Sequence, residues 1–419
     1  MKIKSLSPGE KVKIQTKSKM WEGHVLESHD PEIILLKLKS GYNIGIREGE
    51  ILDIKEVKEK TIEHHGKKGD KVNDKLPNVA IIITGGTISS RLDPKTGGVV
   101  PTDKEAILNI APEIKEICNP VIVSPFMKFS EDMSSKDWIK VAEECEKYLN
   151  DETISGIIIT HGTDFLHYTG IALSFFIQNL NKPIALTYSQ RSVDRASTDA
   201  SLNLICAARY AVSEIAEVAL VGHKDTNDEI CLAMPATKTR KMHASRRDAF
   251  KIINSEPIAE ITKEELIPRR DFNVRLMTKP KLDARYLEKV ALVKIFPGQD
   301  PGILDYYGKE EYSGIILEVS GIGQVPSKNS VANWLPKIKK SIESGMNICA
   351  VAQTINGRLN PNVYSTGRDL QKTGIIFLED MLGETALVKL GWILAHKTWN
   401  VKEKMLENLN NEYSPTLID

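Results

Sequence analysis

The chain has 419 residues, more than one ordinary domain holds, and two to four domains are expected from its length. Its 56 lysines and arginines balance 56 aspartates and glutamates, so the formal net charge is zero, which argues against a surface basic throughout of the kind that holds nucleic acid unaided. The five cysteines are scattered without a Cys-x-x-Cys pair, no apolar run has membrane-spanning length, and the start carries no signal-type apolar core. A cytoplasmic chain with neither a disulfide framework nor a zinc site is therefore expected. Nine histidines without metalloprotease spacing, and the absence of P-loop and Gly-x-Gly-x-x-Gly signatures, leave no metal or nucleotide site to predict.

Residues 1–54 alternate polar and apolar side chains in short runs ("KVKIQTK", "WEGHVLES", "PEIILLKLKS", "YNIGIREG") with turn residues between them, the pattern of a small β-barrel. Residues 55–77 carry both charges, almost no large apolar residue and a closing proline, so they read as a solvated linker, with a basic docking strip as the alternative. From residue 78 the pattern changes to apolar strands alternating with amphipathic helices, which predicts parallel sheets covered by helices. Strands are expected at 79–83, 121–124, 154–160, 184–187, 218–221, 290–295, 315–319 and 348–352, and a helix at 138–149. The charged, proline-bearing stretch 268–283 divides a larger α/β domain, 78–283, from a smaller one, 284–419. The predicted class is α/β, a two-domain parallel-sheet core behind a small amino-terminal barrel.

Two strand ends carry the chemistry. In "NVAIIITGGTISS" a buried strand runs into two glycines and Thr87, where glycine permits a sharp turn and close approach. An ordinary tight turn is the alternative. "ISGIIITHGTDFLHYTG" repeats the logic with Thr163 and Asp164, followed by a helix expected to run through Asn179, where Asp164 is either functional or a helix-capping charge. Parallel strands would place Thr87 and Thr163 on one rim of the sheet, the end where open α/β sheets bind ligands. A third segment, "TKTRKMHASRRDAFK", holds Lys241 among Arg240, Arg246 and Arg247. Crowded cations favour a neutral, basic lysine, unless all four are surface charges.

Together "TGGTISS" and "THGTDFLHYT" resemble the paired signatures of the asparaginase-type amidohydrolases, a resemblance covering residue 78 to nearly the carboxyl end. It implies that Thr87 is the nucleophile and that Thr163, Asp164 and Lys241 form a second catalytic group in which Lys241 relays a proton. It implies further that Ser130, in "PFMKFSEDMSS", grips the substrate α-carboxylate, that Glu131 holds a substrate-ligand position, and that Asp164 also binds the substrate α-amino group. The stretch after the first motif, "SSRLDPKTGGVVP", lacks the tyrosine usual in simple asparaginases, which places efficient unaided turnover of free asparagine in question.

Barrel, linker and core together resemble the D-subunit family of archaeal glutamyl-tRNA(Gln) amidotransferases. That resemblance implies a glutaminase making ammonia for an E subunit, which would hold Glu-tRNA(Gln), ATP and Mg2+, with no cofactor in this chain. It also implies a homodimer core within a heterotetramer, in which "EVSGIGQVP" reaches a neighbouring site through Gln324. A free-standing asparaginase or glutaminase, and a non-catalytic scaffold or RNA-binding module, are the competing readings.

Overall fold

The computed structural model describes residues 6–28, 30–38, 43–57, 73–92, 99–101, 106–193, 195 and 197–415, so most of the expected linker, 58–72, lies outside the described residues. The first unit is an antiparallel sheet of β1 (Lys11–Thr16), β2 (Met20–Leu26), β3 (Ile33–Leu38), β4 (Asn43–Arg47) and β5 (Ile51–Glu56). Alternation along these strands turns Val12, Ile14, Val25, Ile34, Leu36, Ile46 and Ile54 into one small core. The strand order is β4-β3-β2-β1-β5, yet β4 and β5 are joined only by the 3-10 turn Glu48–Glu50. Three residues cannot span a flat sheet, so the sheet curls on itself. Among the described residues β4 and β5 do not pair, and the result is a partly open barrel without a hydrogen-bonded seam.

The larger α/β unit contains β6 (Asn78–Ile83), β7 (Asn119–Val123), α1 (Ser135–Leu149), β8 (Ile154–Thr160), α2 (Leu166–Phe176), β9 (Ile184–Thr187), α3 (Ala200–Ala211), β10 (Val218–His223), β11 (Cys231–Pro235), β12 (Thr239–Lys241), β13 (Phe250–Ile252), β14 (Ala259–Ile261) and β15 (Leu266–Pro268). Its main sheet has the order β15-β14-β11-β10-β9-β8-β6-β7. The strands from β7 to β10 are parallel, whereas β11, β14 and β15 run antiparallel, so the sheet is mixed where the sequence pattern predicts a parallel one. Period-two alternation in β6 and β8 sends Ala80, Ile82, Ile157 and Ile159 to the face covered by α1 and α2. Val79, Ile81, Ile83 and Ile158 go to the face covered by α3. Both faces are buried, which is why these strands are continuous apolar runs. Helix α2 stops at Phe176, short of the expected Asn179, because Ile177–Gln178 leaves the helix to pair with Lys281–Leu282 and Asn179 takes a left-handed φ of 54°.

The smaller unit is a parallel sheet of β16 (Val290–Lys294), β17 (Gly314–Val319), β18 (Asn347–Ala352) and β19 (Ile376–Phe377), flanked by helices that include α4 (Leu335–Glu343) and α5 (Gly383–Leu394). Helices α2 and α5 pack across the boundary, with Phe175 stacked on Trp392 at 5.7 Å between ring centroids. The apolar core is continuous from Ile82 and Ile159 through Phe176 to Ile316 and Val351. Two fully buried lysines fasten the carboxyl-terminal segment: Lys238 Nζ lies 2.8 Å from Asp380 Oδ2, and Lys389 Nζ lies 2.6 Å from Glu412 Oε1. All five cysteines are buried and free, and burial pushes the Cys118 and Cys349 thiols up to about 12.

Buried polar groups pin the strand ends that carry the Gly-Thr turns. Thr84 Oγ1 donates to the Thr160 carbonyl at 2.8 Å, and the Ser89 and Thr160 hydroxyls are 2.8 Å apart. His161 is fully buried. Its Nδ1 lies 2.7 Å from the Gly162 carbonyl, an acceptor only, so Nδ1 carries the proton and Nε2 accepts from the Thr169 hydroxyl at 2.8 Å. Burial lowers the His161 pKa to about 4, partly opposed by the Gly162 bond. The depressed value means that the unfolded chain takes up this proton first as the pH falls. Stability from His161 should thus be complete above about pH 6.5 and be lost toward about pH 4, on the order of 3 kcal/mol in all. Denaturant titrations of wild type and His161→Asn across this window check it. The wild type should lose more stability than the variant as the pH drops, and parallel curves would refute the assignment.

Candidate active site

Chain order along the parallel strands is β7-β6-β8-β9-β10, so the connection leaving β6 goes one way and the chain returns on the other side as β8. The crevice between β6 and β8 is a topological switch point, the place where open α/β sheets receive ligands at the carboxyl ends of strands. Register brings the two ends level, with Ile83 opposite Thr160. The turns that follow therefore meet. Gly86 has φ +83°, and a Cβ there would lie 2.6 Å from Gly162 Cα. Gly85 has φ +129°, and a Cβ there would strike the Lys128 carbonyl. Both positions need glycine for backbone conformation and for space. Thr87, half-buried, opens the 3-10 turn Thr87–Ser89 directly beyond this contact, and Thr163 stands directly beyond Gly162.

The second turn gathers three further side chains. A Cβ on Gly162 would lie 2.9 Å from Ser130 Oγ, so the buried Ser130 packs against the glycine, and its Oγ accepts from the Asp164 N–H at 3.1 Å. Lys241, at the end of β12, places Nζ 2.8 Å from Thr163 Oγ1 and 2.9 Å from Asp164 Oδ1. Its side chain is 12% exposed, against 59% for that of Asp164. Asp164 makes no capping bond, since α2 begins at Leu166 after Phe165 without a side-chain cap, though its charge stands at the amino-terminal end of that helix. The cation crowding expected around Lys241 also needs correction. Arg246 is held by Asp248, which Lys251 also reaches, Arg247 by Asp228 and Arg240 by Glu384, so each arginine is paired with a carboxylate.

Other predicted residues lie differently. Glu131 is exposed beside Ser130, with Oε2 3.5 Å from the serine Oγ. Gln324 sits in the smaller domain after β17, where its side-chain oxygen covers Gly321, its carbonyl accepts from the Ser320 N–H at 2.9 Å, and its Nε2 is buried without a partner. Residues 93–98, the centre of the stretch that lacks a tyrosine, lie outside the described residues. The sequence pattern missed Lys238, Glu384 and His167 as neighbours of the site. His167 is buried below β13 with its Nδ1 unpartnered. Burial, then Arg240 and Lys241, push its pKa down to about 3, so it is neutral. No sequence signal separates these from ordinary surface charges.

A hydroxyl in touch with an amine that is itself held by a carboxylate can pass a proton, and a second hydroxyl on the abutting turn is a candidate nucleophile. Comparison with known proteins places this arrangement. Residues 78–272 match the family description "Asparaginase, N-terminal", residues 289–405 match "Glutaminase/Asparaginase C-terminal domain", and residues 6–57 match "GatD N-terminal domain". The structure of the thermostable L-asparaginase from Thermococcus kodakarensis superposes with a TM-score of 0.73 at 26% identity, covering 81% of this chain and all of that one. The chain is 44% identical to the D subunit of the Pyrococcus abyssi glutamyl-tRNA(Gln) amidotransferase over 94% of its own length and 91% of that relative. It is 43% identical to the corresponding Pyrococcus furiosus protein over 99% of this chain and 94% of that one. With barrel and two-domain core both matched over their length, the chain belongs to the D-subunit family of glutamyl-tRNA(Gln) amidotransferases, built on the asparaginase fold.

Proposed function

We propose that this chain hydrolyses glutamine to supply ammonia for converting Glu-tRNA(Gln) to Gln-tRNA(Gln). The observation that carries the reading is the pair of abutting Gly-Thr turns at the switch point, one of them with Lys241 2.8 Å from its threonine. Ser130 and Asp164 would hold the α-carboxylate and α-amino group of the substrate, leaving its side-chain amide beside Thr87. The Thr87 oxygen attacks the amide carbon while its proton passes toward the Thr163–Lys241 pair. Backbone N–H groups of the Thr87 and Thr163 turns are candidates to receive the developing oxyanion. The C–N bond then breaks, the nitrogen takes the proton and leaves as ammonia, and a glutamyl ester remains on Thr87. Water attacks the ester, frees glutamate and restores the threonine.

The ammonia would pass to an E subunit that activates the γ-carboxyl of Glu-tRNA(Gln). ATP and Mg2+ would be bound there, and two copies of this chain would form the core of a heterotetramer in the cytoplasm. The formal net charge of zero supports a partner that bears most of the tRNA contact. Among the described residues no helix is long and apolar enough to cross a membrane. Glu131, exposed at the rim, and Gln324, from a neighbouring copy, are the further substrate contacts this reading would use.

Two outcomes are expected. Thr87→Ala should reduce glutamine hydrolysis to background, and Thr163→Ala should lower kcat by roughly 10²–10⁴, the span of general acid–base groups. The double variant should be little worse than the worse single one, because the groups act as a unit. Ammonium salts should restore transamidation by the complex in each case, since only the nitrogen source is lost. Near wild-type turnover in either variant would remove that threonine from the mechanism.

The second outcome concerns coupling. Without a tyrosine in residues 89–101, glutamine hydrolysis by the copurified complex should rise strongly when charged tRNA is added. Equal rates for the isolated chain and for the complex with charged tRNA would favour a free-standing amidohydrolase.

A further inference from the structure

The segment that ends in Lys241 is fastened to the smaller domain as well as to its own. Side chains alternate along it. Thr239 and Lys241 turn to the larger domain, with Thr239 Oγ1 donating to the Pro235 carbonyl at 2.7 Å and Lys241 reaching Thr163. Lys238 and Arg240 turn the other way. Lys238 Nζ, fully buried, donates to Asp380 Oδ2 at 2.8 Å and to the Asp380 carbonyl at 3.1 Å. Arg240 Nε lies 3.1 Å from Glu384 Oε1. Thr237 adds two ties, its carbonyl accepting from Thr385 Oγ1 at 2.7 Å and its Oγ1 donating to the Asn410 carbonyl at 2.9 Å.

Strand β12 is three residues long and, among the described residues, pairs only with β13, outside the main sheet. The ties to the smaller domain add to the constraint that so short a ribbon supplies. Glu384 is buried, and among the described residues its second oxygen has no hydrogen-bond partner. A buried carboxylate oxygen left so is costly, which makes the Arg240–Glu384 pair a poor source of net stability. We propose that the smaller domain sets the position of Lys241 through the Lys238–Asp380 and Arg240–Glu384 pairs, making Asp380 and Glu384 positioning residues for the lysine. This rests on the reading of Lys241 as the proton relay.

The test measures glutamine hydrolysis and melting temperature for the full chain in its copurified complex, with Glu384→Ala, Glu384→Gln, Lys241→Met and the Glu384→Ala/Lys241→Met double variant. Glu384→Ala should lower kcat roughly 10- to 100-fold, the range for a displacement of about 1 Å, with KM changed less because Ser130 is untouched. Glu384→Gln keeps the volume and an acceptor for Arg240, so its loss should be smaller, and it carries the test if the alanine variant does not fold. In the Lys241→Met background, Glu384→Ala should cost nothing further, since its effect runs through the lysine. A merely structural role predicts instead that the two losses multiply. Lys241→Met at the wild-type rate would remove the proposed site itself. An impaired Lys241→Met beside an unaffected Glu384→Gln and Glu384→Ala, or multiplied losses in the double variant, would overturn only the positioning role.

Discussion

The site depends on one steric fact: Gly86 lies against the Gly162 backbone, where a Cβ on Gly86 would sit 2.6 Å from Gly162 Cα. Two parallel strands in register deliver their ends to the same level, but strands are about 4.8 Å apart and ordinary turns would splay the next residues. The missing side chain of Gly86 lets the turns close together, so that Thr87 and Thr163 follow from one contact, and that of Gly162 makes room for Ser130. Ser130 packs on the same glycine, and Lys241 reaches the same threonine. Four segments that are distant in sequence converge there because a single pair of glycines permits it.

The second level of order is the seam between the two α/β units. Their cores merge around α2 and α5, and the ion pairs of Lys238 and Lys389 are buried within the joined body. Breaking a buried pair by removing one partner costs about 3–5 kcal/mol, whereas apolar replacement of both is often neutral. Such pairs are therefore poor sources of net stability and good sources of unique geometry. Here they determine how the carboxyl-terminal segment and β12 dock, and the lysine at the tip of β12 inherits that geometry.

The parallel strands of the core were legible because burial on both faces demands apolar runs such as Ile81–Ile82–Ile83, here short, β-branched and followed by turn residues. Strand β11, "CLAMP", carries no β-branched residue and ends in proline, while β14 and β15 have three residues each, so their periodicity gave no sign of the mixed sheet. Thr87, Thr163, Asp164 and Lys241 were legible as motifs, and the structure brings the last three into contact. Lys238 was not. In "TKTRK" it is indistinguishable from its neighbours, and only the fold reveals that it is fully buried. Arg240, Arg246 and Arg247 misled for the reverse reason: Glu384, Asp228 and Asp248, which neutralise them, come from other elements or from the turn itself.

The central claim is that Thr87, and not its twin on the adjoining turn, carries the glutamyl group. Rapid acid quench of the complex during glutamine turnover, followed by peptide mapping by mass spectrometry, reads this directly. A glutamyl ester on the peptide containing Thr87, absent from a Thr87→Ala complex, is the result the account predicts. An ester on Thr163, or brisk ammonia release with no ester on either threonine, would contradict it.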